Sequence, residues 1–296
     1  MPPQLYFVVS AVFHYLGPSF AVLLFARVDV LGVAWLRIAA AAAVFAAWRR
    51  PWRAFAVLGS DGRRLLILWG AALAAMNVCF YVAISRLPLA TVAAIEFVPV
   101  IALAALGART ARNGVALALA VPGVYALTGV RFAGEPIGIA FAFANAVLFA
   151  AYIVLADRVA KCRRLRGIDG LAAAMLVAAV AVTPVGGWAA APALLDPVAL
   201  LAGLGVGVSS SVVPYVSDQL AMARLPRATY ALMVSLLPAV ATVIGVVVLA
   251  QVPSWTEVGG VVLVVAGVAL HRAPSDARSL NRSRARRPSA SARSDA

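Results

Sequence analysis

Apolar residues occupy this chain in long unbroken blocks, and short joints rich in arginine, proline and glycine separate them. Polar and apolar positions do not alternate within the blocks, which excludes the short two-faced strands of an outer-membrane barrel. Each block is about 17–25 residues long, enough for an α-helix rising 1.5 Å per residue to cross a bilayer. Cutting at the joints predicts ten helices, over 5–26, 31–48, 65–85, 89–107, 114–130, 137–156, 169–190, 198–222, 228–250 and 252–271. The expected fold is an all-α polytopic membrane protein with ten transmembrane helices.

Composition agrees. The 296 residues are 64% apolar and 12% charged, about half the charged fraction of a soluble domain, and the mean hydropathy is +0.97. A water-soluble enzyme is excluded. The net charge of +14 would suit a nucleic-acid binder, but its distribution points to membrane topology. Joints 49–64, 108–113, 157–168 and 224–227 and the tail carry 5, 2, 5, 2 and 7 Lys and Arg, whereas the alternate joints carry only Arg27, Arg86 and Arg131. The positive-inside rule puts the basic joints and both termini in the cytoplasm, with no nucleic-acid partner. MPPQLYFVV lacks a basic n-region and runs into a full-length span, so the first segment reads as retained. The tail 272–296 has almost no large apolar residue and is expected to be disordered against anionic headgroups. Cys79 and Cys162 fall at different depths, and no disulfide, metal site or cofactor is expected.

Residues 86–93 (RLPLATVA) match residues 224–231 (RLPRATYA) at six of eight positions. The match divides the chain into two five-helix repeats, 1–133 and 134–271. An odd number of spans per repeat makes the copies enter the membrane from opposite sides, and Arg86 and Arg224 indeed fall at joints of opposite assignment. Inverted repeats with a site at their interface are the architecture of many secondary transporters.

The stretches LRIAAAAAVFAAWRRPWR (36–53), MNVCFYVAISRLPLATVAAIEF (76–97) and VPYVSDQLAMARLPRATYALMVSLLP (213–238) carry a family likeness. On them the chain resembles the EamA-type branch of the drug/metabolite transporter superfamily, and within it the threonine/homoserine exporter group. The resemblance implies a multi-pass carrier of the cytoplasmic (inner) membrane, driven by protons, that exports amino acids or another metabolite or drug. Two positions depart from the group's pattern. Leu237 stands where a glutamate commonly precedes the proline, and Ala250 and Gln251 replace a common Gly-Glu pair. Glu96, Arg37, Asn77, Tyr81 and Asp218 fit it.

A charge at mid-bilayer is costly, so Arg37, Glu96 and Asp218 are candidates for function. Helix rise puts Arg37, Glu96 and Asn77 at one level, roughly 9–12 Å below the outer ends of their spans. Glu96 reads as a proton or amine site, with Asn77 and Tyr81 hydrogen-bonding substrate from one helix face. It reads alternatively as half of a structural ion pair with Arg37. Pro99 denies the Ile95 carbonyl its helical donor beside Glu96, and Pro214 does the same to Ser210. Gly207, Ser211, Pro214 and Asp218 share a small polar stripe on an ideal helix, with Tyr215 beside it. Asp218 falls at the cytoplasmic boundary, where pairing with Arg224 is the plainer alternative. His14 is a relay candidate in the first span. Asn145 and Tyr152 share a face of the sixth span, and Pro238 is expected to kink the ninth.

The stretch VGVSSS (206–211) raises an intramembrane serine hydrolase as a competing class. His14 and His271 are the only histidines and no paired carboxylates accompany them, so no general base is at hand and an enzyme is not expected. A channel would call for rings of polar groups from several subunits, whereas an inverted repeat suits a carrier working as a monomer or homodimer. The expected cycle has substrate entering between the halves, with Glu96 protonated when open outward and deprotonated inward.

Overall fold

A computed structural model describes residues 3–99, 102, 110–129, 135–161, 167–222, 224 and 236–270. The tail, Cys162 and residues 225–235 lie outside the described residues. The described residues form an all-helical membrane protein. Its elements are α1 (Pro3–Leu24), α2 (Val30–Arg49), α3 (Trp52–Val57), α4 (Ser60–Ile84), α5 (Leu89–Glu96), α6 (Ala111–Gly129), α7 (Pro136–Lys161), α8 (Gly167–Val182), α9 (Trp188–Leu194), α10 (Pro197–Gly207), α11 (Val213–Met222), α12 (Leu237–Leu249) and α13 (Trp255–Leu270). Among the described residues six helical stretches are long and apolar enough to cross a membrane, and three further apolar helices are shorter.

The helix ends follow the local sequence. Asp29 accepts from Leu31 N at 2.8 Å and Asp196 from Val198 N at 2.9 Å, so each caps an orphan N–H at the start of α2 and α10. Ser254 and Glu257 form a capping box on α13: Glu257 N donates to Ser254 Oγ at 3.3 Å, and Ser254 N donates to the Glu257 carboxylate at 2.8 Å. α2 and α12 end in left-handed residues, Arg50 at φ 50° and Ala250 at φ 53°. Gln251 N then closes α12 by reaching back to the Gly245 carbonyl at 3.0 Å.

Several boundaries differ from the sequence reading. α4 starts at Ser60 and α7 continues to Lys161, because polar flanks stay helical where hydropathy has already fallen. The joint 49–64 folds part of itself into α3. The seventh and eighth predicted spans are each interrupted by a π-helical turn, Thr183–Gly187 between α8 and α9 and Val208–Val212 between α10 and α11. α5 ends at Glu96, with Phe97 in a turn, so the fourth predicted span is broken beside its carboxylate. Residues 100–101 and 103–109 of that span lie outside the described residues.

Helices from the N-terminal part pack mainly on those from the C-terminal part. α6 lies along α13, α5 along α12 and α7, α4 along α7 and α8, α2 along α8 and α10, and α1 along α11 and α12. Glycines allow the closest approaches. A Cβ at Gly123 would meet the Gly260 carbonyl oxygen at 2.8 Å, and one at Gly260 would meet the Gly123 carbonyl at 2.8 Å. α6 and α13 therefore touch backbone to backbone, as small residues permit in membranes.

Candidate functional site

The π turn 208–212 organises the centre of the molecule. Pro214 has no N–H to offer the Ser210 carbonyl, and Arg37 from α2 supplies the missing donor, Nη2 to Ser210 O at 3.1 Å. The same guanidinium donates from Nε to Ser211 Oγ at 3.0 Å, and its Cζ lies 5.4 Å from the centroid of the Tyr81 ring. Arg37 is only 5% exposed. Its charge is thus met by a serine hydroxyl, a freed carbonyl and an aromatic face, which together replace part of the water it has lost.

On the other side of this centre Glu96 closes α5 and is also 5% exposed. Its Oε1 accepts a hydrogen bond from Asn145 Nδ2 in α7 at 3.3 Å. No ion pair joins Arg37 to Glu96, although each lies within electrostatic range of the other. The structural ion pair is therefore replaced by two separate sets of contacts. Depth along straight helices gives a common level but not the direction in which each side chain points.

Around the two charges lie buried polar atoms: the Tyr15 hydroxyl and the Oδ1 of Asn145 have no hydrogen-bond partner, whereas the hydroxyls of Tyr81 and Ser210 lie within reach of one another and of Arg37. Tyr15 and Glu96 lie within electrostatic range of one another. Buried polar atoms are nearly always satisfied by protein or by water, so the Tyr15 hydroxyl and the Asn145 Oδ1 remain open to a hydrogen bond. Neither Tyr15 nor the Ser210 hydroxyl is singled out by the sequence reasoning. The visible signals were the pairing of His14 with an adjacent tyrosine and three consecutive serines before a proline.

The other candidates are placed differently. Asn77 spends Nδ2 on the Leu73 carbonyl of its own helix at 2.8 Å. Tyr152 stacks on Phe149 and packs against Trp69, centroids 6.3 and 5.7 Å away. His14 is half-buried, edge-on to the Tyr15 ring at 5.1 Å. Tyr215 is half-buried and within electrostatic range of Arg37, Glu96 and Asp218. Asp218 is half-buried in α11, whereas Arg224 donates to the Leu220 carbonyl at 3.1 Å and lies over the Tyr6 ring. The π turn also splits the predicted stripe, because an extra residue in the turn rotates α11 relative to α10. Gly207 and Ser211 meet α2, while the Pro214 carbonyl accepts from Ser10 of α1 at 3.1 Å.

The positions that depart from the family pattern have local roles. Leu237 packs on the apolar residues between α1 and α11, so its surroundings are hydrocarbon. Pro238 falls in the first turn of α12, where a missing N–H carries no penalty, and it marks the start of the described helix. Gln251 Oε1 accepts from Leu89 N at 3.0 Å and caps α5 from the other half of the chain. Among the described residues no group of three or more metal-ligating side chains occurs.

Comparison with known proteins decides the family. Residues 136–272 match the model of the EamA-like transporter family. The threonine/homoserine exporter RhtA of Escherichia coli (strain K12) is 31% identical over 241 residues, 79% of each chain. This chain belongs to the EamA-like transporter family. The RhtA protein of Salmonella typhimurium (strain LT2) is 30% identical over 253 residues, 84% of each chain. A crystal structure at 20% identity shares the fold, with a TM-score of 0.56 over 90% of this chain and 96% of that one. As a member of an EamA-like transporter family, the protein is a multi-pass membrane transporter for a small-molecule substrate.

Proposed function

We propose that this transporter is a proton-coupled exporter of small amino acids, threonine and homoserine among them, in the cytoplasmic membrane. Glu96 is the group that exchanges a proton for substrate. The observation that carries this reading is a carboxylate 5% exposed at a helix break, held by one amide at 3.3 Å and within electrostatic range of the unpartnered Tyr15 hydroxyl. A substrate ammonium or a proton neutralises Glu96, and the hydroxyls of Tyr15, Tyr81 and Ser210 and the Asn145 carbonyl oxygen satisfy the rest of a zwitterion. Occupancy by one excludes the other, which couples the two fluxes. The RhtA relatives, named as threonine/homoserine exporters, supply the substrate class.

Two inverted five-helix halves and cytoplasmic termini belong to the same proposal. Helix packing supports it, because the contacts occur in matched sets five spans apart: α4 with α7 answers α1 with α11, and α5 with α7 answers α12 with α1. Three ion pairs support the sidedness, since Arg27–Asp196, Arg49–Asp169 and Arg86–Glu135 each join segments that the charge count assigns to one side. The test is pH-gradient-driven transport of labelled threonine and homoserine in membrane vesicles, comparing wild type with equally expressed Glu96→Gln. Gradient-dependent transport in wild type that disappears in the variant is expected. Failure of wild type to move either substrate refutes the amino-acid reading, and saturable transport indifferent to the gradient refutes the coupling.

A further inference from the structure

A polar cavity of about 570 Å³ opens where α2 ends and the chain turns into α3, and none of the residues around Glu96 lines it. Arg49, Arg50 and Arg53 line it, with Trp48, Val57 and Asp169. Three guanidinium groups face one carboxylate. Arg49 occupies that carboxylate, with Nη2 at 2.6 Å and Nε at 2.8 Å from Asp169 Oδ1. Arg50 and Arg53 are exposed, and among the described residues their side chains make no ion pair or hydrogen bond. The cavity thus keeps an excess of two positive charges.

Two further features identify what would neutralise them. Arg50 adopts the left-handed backbone conformation, φ 50° and ψ 64°, which is unfavourable for a non-glycine residue. That turn redirects the chain from α2 into α3, which packs on α8, and Arg50 and Arg53 line one cavity. Trp48 and Trp52, at 51% and 55% exposed, flank the same turn, with Val57 at 50%. Exposed indoles at the end of a transmembrane helix sit at the headgroup level of a bilayer.

We infer that this cavity binds the phosphate headgroup of an anionic phospholipid, held by Arg50 and Arg53 with its acyl chains against Trp48 and Trp52. Guanidinium forks match phosphate oxygens, and basic pockets at the membrane edge suit anionic headgroups. A free phosphate would use the arginines but not the exposed indoles. The site does not depend on the transported substrate.

The test titrates the delipidated full-length protein in detergent with phosphatidylglycerol, phosphatidylcholine or inorganic phosphate, and reads bound lipid by native mass spectrometry. Preferential retention of phosphatidylglycerol is expected. Arg53→Gln and Arg50→Gln should each weaken it about fivefold. Arg64→Gln, which removes an exposed arginine from the same face outside the cavity, should leave it unchanged. Equal retention of the two lipids, equal loss with Arg64→Gln, or displacement of the lipid by inorganic phosphate at matched concentration overturns the inference. Arg53 lies on the exposed side of a short helix, so its variant keeps the test interpretable if Arg50→Gln disturbs the turn.

Discussion

Gly17 lies where α1 crosses the π turn that Arg37 grips, and replacing it by alanine tests that arrangement directly. A Cβ at Gly17 would stand 2.7 Å from Ser210 N and 2.8 Å from Ser210 Cα, against the roughly 3.5–4.0 Å of an ordinary contact between carbon atoms. Both obstacles are backbone atoms, so relief requires α1 or the π turn itself to move. Overpacking of this kind costs roughly 1–3 kcal/mol, offset by up to about 1 kcal/mol from the better helix former. The net expectation is a loss of roughly 1–2 kcal/mol. Gly114→Ala is the matched control, because no atom lies within 4 Å of its added Cβ, and it should gain up to about 1 kcal/mol. Thermal unfolding of the purified full chain, followed by tryptophan fluorescence, should shift by a few degrees in opposite directions for the two variants. A Gly17→Ala protein that unfolds at or above the wild-type temperature would refute the close crossing of α1 and the π turn.

Individual contacts yield three further expected outcomes. Arg37→Lys keeps the charge but cannot span Ser210 O and Ser211 Oγ together, so thermal unfolding should report a loss of about 1.5–3 kcal/mol, one charged hydrogen bond. Ala250→Gly relieves a left-handed alanine at φ 53° and should raise the unfolding temperature by the equivalent of about 1 kcal/mol. Ser254→Ala removes the side-chain half of the α13 capping box and should cost about 1 kcal/mol in the same assay, with faster amide exchange confined to the first turn of α13.

Much of this architecture was legible in the sequence because lipid imposes a simple rule: a segment that crosses it must be helical and apolar throughout. The freed carbonyl of Ser210 was equally local, since Pro214 removes a donor whatever surrounds it. The partner of Arg37 was not local. Arg37 and Glu96 share a level, but the direction of each side chain is set by packing between helices. The π turns were hidden for a related reason: Thr183–Gly187 and Val208–Val212 both lie against α2, and nothing in TPVGG or VSSSV alone demands a wider turn. Tyr152 shared a face with Asn145 on paper and went to an aromatic cluster, because Trp69 and Phe149 offered it more apolar contact.

The departures at Ala250 and Gln251 bear on how the halves are joined. The resemblance places Gly-Glu at these positions in relatives, and the geometry explains both residue types. The first position is left-handed, which favours glycine, and the second caps the N-terminus of α5, which favours a carboxylate. This chain keeps the geometry with residues less suited to it, an alanine at φ 53° and a neutral amide on Leu89 N. α5 carries Glu96 at its other end. Its first N–H is therefore tied to the C-terminal half by one uncharged hydrogen bond, roughly half as strong as a carboxylate's would be, while its last residue holds the buried carboxylate. A weaker tie at the start of α5 lowers the cost of moving that helix against α12.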